Sequence, residues 1–176
     1  MATLLGISGS LRKASTNRML MRNAAAIFDA DRFIEADIRL PLYDGDLEEA
    51  EGIPAPVQRL ADQIAAADAV IIATPEYNKA ISGSLKNALD WVSRTKGSPW
   101  NGKPLAIMSA AAGRAGGERT QFSLRLAMMA FRPDILQGPE VLVAGASKEF
   151  DENGKLTGEL YIKRLTELMD ALKARI

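Results

Sequence analysis

The run Ala69-Val70-Ile71-Ile72-Ala73 contains no polar residue. A strand without polar alternation has to be covered on both of its faces, which places it in the middle of a sheet. Leu105 to Met108 is a second wholly apolar run. Strands covered on both sides need helices above and below one sheet, and the remaining pattern supplies them. Thr3 to Ser8, Phe33 to Ile38 and Val141 to Ala144 read as further strands, the second nearer an edge because its alternation is clean. Helical spacing runs through Met19, Leu20, Ala24, Ile27 and Phe28 within Asn17 to Phe28, then through Val57, Leu60, Ile64 and Ala67 after Pro54. It recurs at Leu85, Ala88, Leu89 and Val92, and in Glu118 to Phe131 with Phe122, Leu126 and Met129 in register. Glu159 to Ile176 forms a closing helix, Leu40 to Ile53 a loop, and Asp151 to Gly154 an exposed turn. Five strands separated by helices predict a parallel, three-layer α/β domain, and 176 residues without a linker or repeat predict that residues 1–176 are one domain.

Composition excludes several kinds of chemistry. Lys plus Arg, at 22, equals Asp plus Glu, so no overall field draws in nucleic acid or an anionic membrane. No apolar run is long enough to span a bilayer, and the first residues lack the charged lead and apolar core of a signal peptide. A cytoplasmic protein is expected. There is no Cys, which removes disulfides, thiolate nucleophiles and cysteine-held iron–sulfur clusters. There is no His, which removes the usual base of serine catalysis and the commonest metal ligand. An enzyme built this way works with a cofactor whose own chemistry suffices.

In a parallel sheet, ligands sit beyond the carboxyl ends of the strands. The loops 9–16, 74–83 and 109–117 leave those ends of the first, third and fourth strands, so they predict one composite cleft. The first loop carries Ser10, Ser15 and Thr16 with Arg12, follows Ser8, and runs into a helix start where Arg18 adds charge. Free backbone N–H groups there suit a phosphate. The sequence is neither a Walker A motif nor G-x-G-x-x-G, and an ordinary strand-to-helix turn capped by Ser15 reads equally well from this loop alone. The second loop, Thr74-Pro75-Glu76-Tyr77-Asn78, offers groups that could frame a flat ring, or simply cover the edge of the core. The third, Ser109 to Gly117, is nearly devoid of large side chains, which suits close approach of backbone to a ligand or a plain surface loop. Together the loops match a mononucleotide with a broad planar base, and FMN fits.

Gly9-Ser10-Leu11-Arg12-x-x-Ser15-x-Asn17, Thr74-Pro75-Glu76-Tyr77-Asn78 and Gly83-x-Leu85-Lys86-Asn87-Ala88-Leu89-Asp90-Trp91 resemble the NADPH-dependent FMN reductase family, in order and over nearly the whole chain. That resemblance implies a flavodoxin-like fold with sheet order 2-1-3-4-5. It implies FMN as cofactor and NADH or NADPH as co-substrate. The reaction it implies is ping-pong hydride transfer to the flavin and on to quinones, azo dyes, chromate, ferric complexes or free flavin. It also implies a homodimer or homotetramer. The family's phosphate loop corresponds to Ser10, Leu11, Arg12, Ser15, Thr16 and Asn17, with Ser10, Arg12, Ser15 and Asn17 matching its motif. Pro75, Glu76, Tyr77 and Asn78 correspond to the main-chain contacts on one ring edge, and Ser109, Ala110 and Gly113 to the opposite edge. Two departures stand out: Ser82 replaces a common Pro and should loosen its loop, and Ala110 and Ala111 replace common hydroxyl residues.

No side chain has to act as acid or base, since the chemistry resides at flavin N5, and no metal site is expected. Arg114 is the better candidate to meet the pyridine nucleotide, and Arg94 the weaker one beside its plain role at a helix end. Lys86 and Asp90 are spaced as a solvated helix pair, and Glu76 reads as structural. Trp91 falls off its helix's apolar stripe, which suggests that it faces a partner subunit. The alternatives are an electron carrier of the flavodoxin type, or a non-catalytic FMN-binding module.

Overall fold

The computed structural model describes residues 1–176. Its sheet is parallel and ordered β2-β1-β3-β4-β5, built from β1 (Thr3–Ser8), β2 (Arg32–Glu35), β3 (Ala69–Ala73), β4 (Pro104–Ala110) and β5 (Asp134–Ile135). The two wholly apolar runs are β3 and β4, side by side in the interior of the sheet. Their side chains alternate between two cores, as a strand period of two requires. Ala69, Ile71, Ala73, Ala106, Met108 and Ala110 pack under α1 (Thr16–Phe28) and α6 (Glu159–Lys173). Val70, Ile72, Leu105 and Ile107 pack against α3 (Ala55–Ala66), α4 (Gly83–Val92) and α5 (Glu118–Met128).

Four features differ from the sequence expectation. The stretch Leu40 to Ile53 is not all loop, because it holds α2 (Gly45–Glu51). This helix buries no residue, so it has no apolar stripe to announce it. Its signals are its ends: Asp44 accepts the Asp46 amide at 2.9 Å, and Gly52 takes a positive φ of 76°. The fifth strand is split. β5 pairs with the start of β4, whereas β6 (Leu142–Val143) pairs with its end, through Ser109 and Ala110. Gly138-Pro139 lies between the two pieces, and Pro139 has no amide to give to a ladder.

Trp91 does not face a partner. It is fully buried, donates Nε1–H to the Pro41 carbonyl at 2.8 Å and meets the Tyr43 ring edge-on at 5.0 Å. It seemed off the stripe because the loop 40–43 that covers it is not part of the sheet's core.

The α5 register is also reversed. Phe122, Leu126 and Met129 are 56, 71 and 70 % exposed, and Thr120, Gln121, Leu124 and Met128 are the buried residues. Polar partners set this rotation. Gln121 Nε2 donates to Ser109 Oγ and to the Val141 carbonyl, both at 2.9 Å, and Thr120 Oγ1 donates to the Pro75 carbonyl at 3.0 Å. An unpaired buried carbonyl costs about 1–3 kcal/mol, so the rotation is favoured by the Val141 and Pro75 carbonyls that it satisfies.

Candidate functional site

Three loops meet at the carboxyl end of the sheet, and backbone contacts fix their spacing. Gly9 N–H donates to the Ala73 carbonyl at 2.8 Å, and the Ser82 hydroxyl donates to the Gly9 carbonyl. A Cβ on Gly9 would lie 2.5 Å from Thr74 Oγ1, so only glycine lets the first loop lie this close to the second. Ser82 also caps α4 by accepting the Leu85 amide at 3.2 Å. The expectation that Ser82 loosens its loop is therefore reversed: its hydroxyl ties the first loop, the second loop and α4 together.

The first loop ends at Ser15, whose Oγ accepts the Arg18 amide at 3.3 Å as the α1 cap. The amides of Thr16 and Asn17, in the first turn, meet no acceptor in the chain. The Asn17 side chain has a different task. It is buried, donates Nδ2–H to the Ala110 carbonyl and accepts the Ala110 amide, both at 2.9 Å. It thereby clamps the α1 start to the β4 end. The Arg12 guanidinium lines the cleft, is exposed and has no ion-pair partner.

In the second loop, Tyr77 and Ala80 exchange both backbone hydrogen bonds, at 3.0 and 3.1 Å. Asn78 and Lys79 between them have φ of 51° and 66°, the geometry of a two-residue turn with both central positions left-handed. The Glu76 carboxylate accepts the Arg119 and Thr120 amides at 3.1 and 3.4 Å. It supplies the cap that Gly117, with no side chain, cannot give α5. This is the structural role expected of Glu76.

The third loop is less open than its composition suggests. Gly117 has φ of 88°, and a Cβ there would lie 2.8 Å from Ser109 Cβ. Ser109 turns inward, donating to the Gly116 carbonyl at 2.7 Å. The close approach thus serves packing at Gly116 and Gly117, and Ala110, Ala111 and Ala112 are the part that faces the cleft.

The resulting cleft has a volume of about 300 Å³. It brings together Ser10, Arg12, Ser15, Thr16, Asn17, Pro75, Glu76, Tyr77 and Ala110 from the sequence-derived set, and adds Ala14, Ala111 and Ala112. The three alanines carry no motif, and their only signal is smallness beside the loop residues already singled out. Leu11, Asn78, Ser109, Gly113 and Arg114 stand outside its lining. Leu11 offers its carbonyl to Arg39 at 2.7 Å instead. Arg94 is engaged elsewhere, donating Nε–H to Glu48 at 2.9 and 3.1 Å. That hydrogen bond holds the Glu48 carboxyl below its ordinary range, while the bond Glu48 accepts pushes the Tyr43 phenol up.

The cleft is therefore polarised. One end has two free amides at a helix start, the hydroxyls of Ser10 and Ser15, and the unpaired Arg12, a donor set that matches a phosphate. The other end is bounded by Pro75, Glu76 and Tyr77 of the second loop and by Ala110, Ala111 and Ala112. This donor set and these walls fit FMN.

Comparison with known proteins shows the family. The family model described as NADPH-dependent FMN reductase matches residues 2–148. An NAD(P)H-dependent FMN reductase of Pseudomonas aeruginosa is 42 % identical over 172 residues, covering 97 % of this chain and 92 % of the relative. A quinone reductase of Escherichia coli is 38 % identical over 167 residues, covering 93 % and 89 %. Among solved structures, the flavoenzyme NAD(P)H:(acceptor) oxidoreductase FerB from Paracoccus denitrificans superposes with a TM-score of 0.88 at 33 % identity, covering 99 % of this chain and 96 % of that one.

The clamp between α1 and β4 is testable by itself. Asn17→Ala leaves the Ala110 amide and carbonyl buried without partners, and is expected to lower stability by about 2–3 kcal/mol in urea unfolding. A loss below roughly 0.5 kcal/mol, the range of an ordinary surface change, contradicts the role.

Proposed function

The chain belongs to the NADPH-dependent FMN reductase family and is an FMN-dependent NAD(P)H oxidoreductase; from that premise we propose which of its residues hold the flavin and what it reduces. The phosphate is held by the Thr16 and Asn17 amides, the Ser10 and Ser15 hydroxyls and the Arg12 guanidinium. The ring lies between Pro75–Tyr77 and Ala110–Ala112. The polarised cleft carries this reading: the cleft's one arginine, the hydroxyls of Ser10 and Ser15 and the free amides of a helix start belong to the first loop, and small residues line the third. Bound FMN supplies the hydride-accepting position, which is why a chain with neither His nor Cys can be a reductase.

The protein's own work is positional. The α1 dipole and Arg12 neutralise the phosphate and fix one end of the cofactor. Asn17 keeps the Ala110 wall at a fixed distance from that anchor. Glu76, engaged by α5, holds the second loop and so the rim residue Tyr77. With FMN held by these walls, reductant and acceptor would meet it in turn in the same cleft, and ping-pong kinetics is expected. Quinones are the proposed acceptors, in line with the relatives named quinone reductase. Arg114, exposed and in the third loop, is assigned to the phosphates of the pyridine nucleotide; Arg114→Ala should raise the KM for NADPH with kcat unchanged, and an unmoved KM contradicts it.

The test is spectroscopic. The flavin-loaded protein should bleach on NADH or NADPH and recover with benzoquinone. Arg12→Ala should raise the Kd for FMN about 10- to 100-fold, the worth of one charged hydrogen bond, while turnover at saturating FMN stays within a few-fold. Lost turnover with an unchanged Kd contradicts the assigned orientation.

We also propose self-association through the outward face of α5. Phe122, Leu126 and Met129 form one apolar stripe that nothing in the chain covers. Light scattering should give a multiple of the chain mass, reduced to that of a single chain by Leu126→Asp. A wild-type monomer contradicts this.

A further inference from the structure

The first loop is fixed at its two ends and weakly in between. Gly9 is joined to Ala73 and to Ser82, and Ser15 caps α1. Leu11, Arg12, Lys13 and Ala14 between them are all exposed. Two of their hydrogen bonds stay within the loop: the Arg12 amide donates to Ser10 Oγ at 3.4 Å, and the Ser15 amide to the Arg12 carbonyl at 3.3 Å. A single hydrogen bond ties these four residues to the rest of the chain. Arg39 Nη2 donates to the Leu11 carbonyl at 2.7 Å.

The donor is itself held. Asp37 Oδ1 accepts the Arg39 amide at 3.0 Å and Arg39 Nη1 at 3.3 Å, which turns the guanidinium. Ile38 beside it is buried. Two residues on, the Pro41 carbonyl accepts Asn87 Nδ2 and Trp91 Nε1 of α4 at 2.9 and 2.8 Å. The segment is thus a strap between β2 and α4, and Arg39 is the side chain that it extends to the first loop. Arg39 does not line the cleft, so its effect there passes through Leu11. A peptide is planar, so holding the Leu11 carbonyl also fixes the direction of the Arg12 amide and the point from which the Arg12 side chain leaves.

We infer that Arg39 is a positioning residue for the flavin phosphate: it orders Leu11 to Ala14 before the cofactor arrives, and so sets a preference for FMN over riboflavin, which has the same ring without the phosphate. This role rests on the assignment of the phosphate to the first loop. A loop ordered in advance loses less conformational freedom on binding, so the effect falls on affinity for the phosphate-bearing flavin.

The experiment titrates the full flavin-free chain with FMN and with riboflavin and follows the quenching of flavin fluorescence. Arg39→Ala should raise the Kd for FMN about 3- to 10-fold and leave that for riboflavin within about twofold. Asp37→Ala separates position from charge. Removing an anion would tighten a phosphate if charge alone mattered, whereas loosening Arg39 should weaken FMN. Arg12→Ala, measured alongside, tests the phosphate assignment separately. If it weakens FMN and Arg39→Ala does not, the assignment stands and the role of Arg39 falls; if neither weakens FMN, both fall. Equal weakening of FMN and riboflavin by Arg39→Ala would show a merely structural residue and overturn the role. Tighter FMN in Asp37→Ala would also overturn it, leaving a simple charge effect.

Discussion

Two hydrogen bonds from one buried amide hold the site together. Asn17 gives and takes one bond with Ala110, and so joins the first turn of α1 to the last residue of β4. The first of these elements presents the free amides that suit a phosphate, and the second begins the run of alanines that lines the cleft, the wall proposed for the ring. Because both bonds are buried, either element moving alone would strand a polar pair, which makes the separation of phosphate site and ring wall a property of the fold. The Gly9–Ser82 contact does the same between the first and second loops. Catalysis in a chain with no His and no Cys reduces to this kind of positioning.

Much of the fold was legible because it rests on periodicity. The wholly apolar β3 could only be interior, and its limits, Ala69–Ala73, coincide with the apolar run. The first strand and the cap at Ser15 were equally readable. What escaped was set by partners distant in sequence. α2 has no buried face and is written only in its caps. The rotation of α5 follows from Gln121 meeting Val141 and Thr120 meeting Pro75, 20 and 45 residues away, and no local pattern contains that. The hydrophobic stripe Phe122–Leu126–Met129 was correctly seen as a stripe, but its direction belonged to tertiary structure.

The candidate site divides in the same way. Residues that act through backbone and hydroxyl groups near a strand end, Ser10, Ser15, Thr16 and Pro75, came directly from the loop pattern. Asn17 and Glu76 were also named from the sequence, Glu76 as structural, but their partners, Ala110 and the start of α5, needed the structure. Arg94, the weaker candidate for the pyridine nucleotide in sequence, is paired with Glu48 on α2, the one helix the sequence had not revealed.

A crystal structure of the FMN-loaded protein tests the central claim most directly. The account predicts the phosphate within hydrogen-bond reach of the Thr16 and Asn17 amides and of Arg12, with the ring against Pro75–Tyr77 and Ala110–Ala112. A phosphate seated at the third loop, or a ring stacked over Ser10 and Arg12, would contradict it.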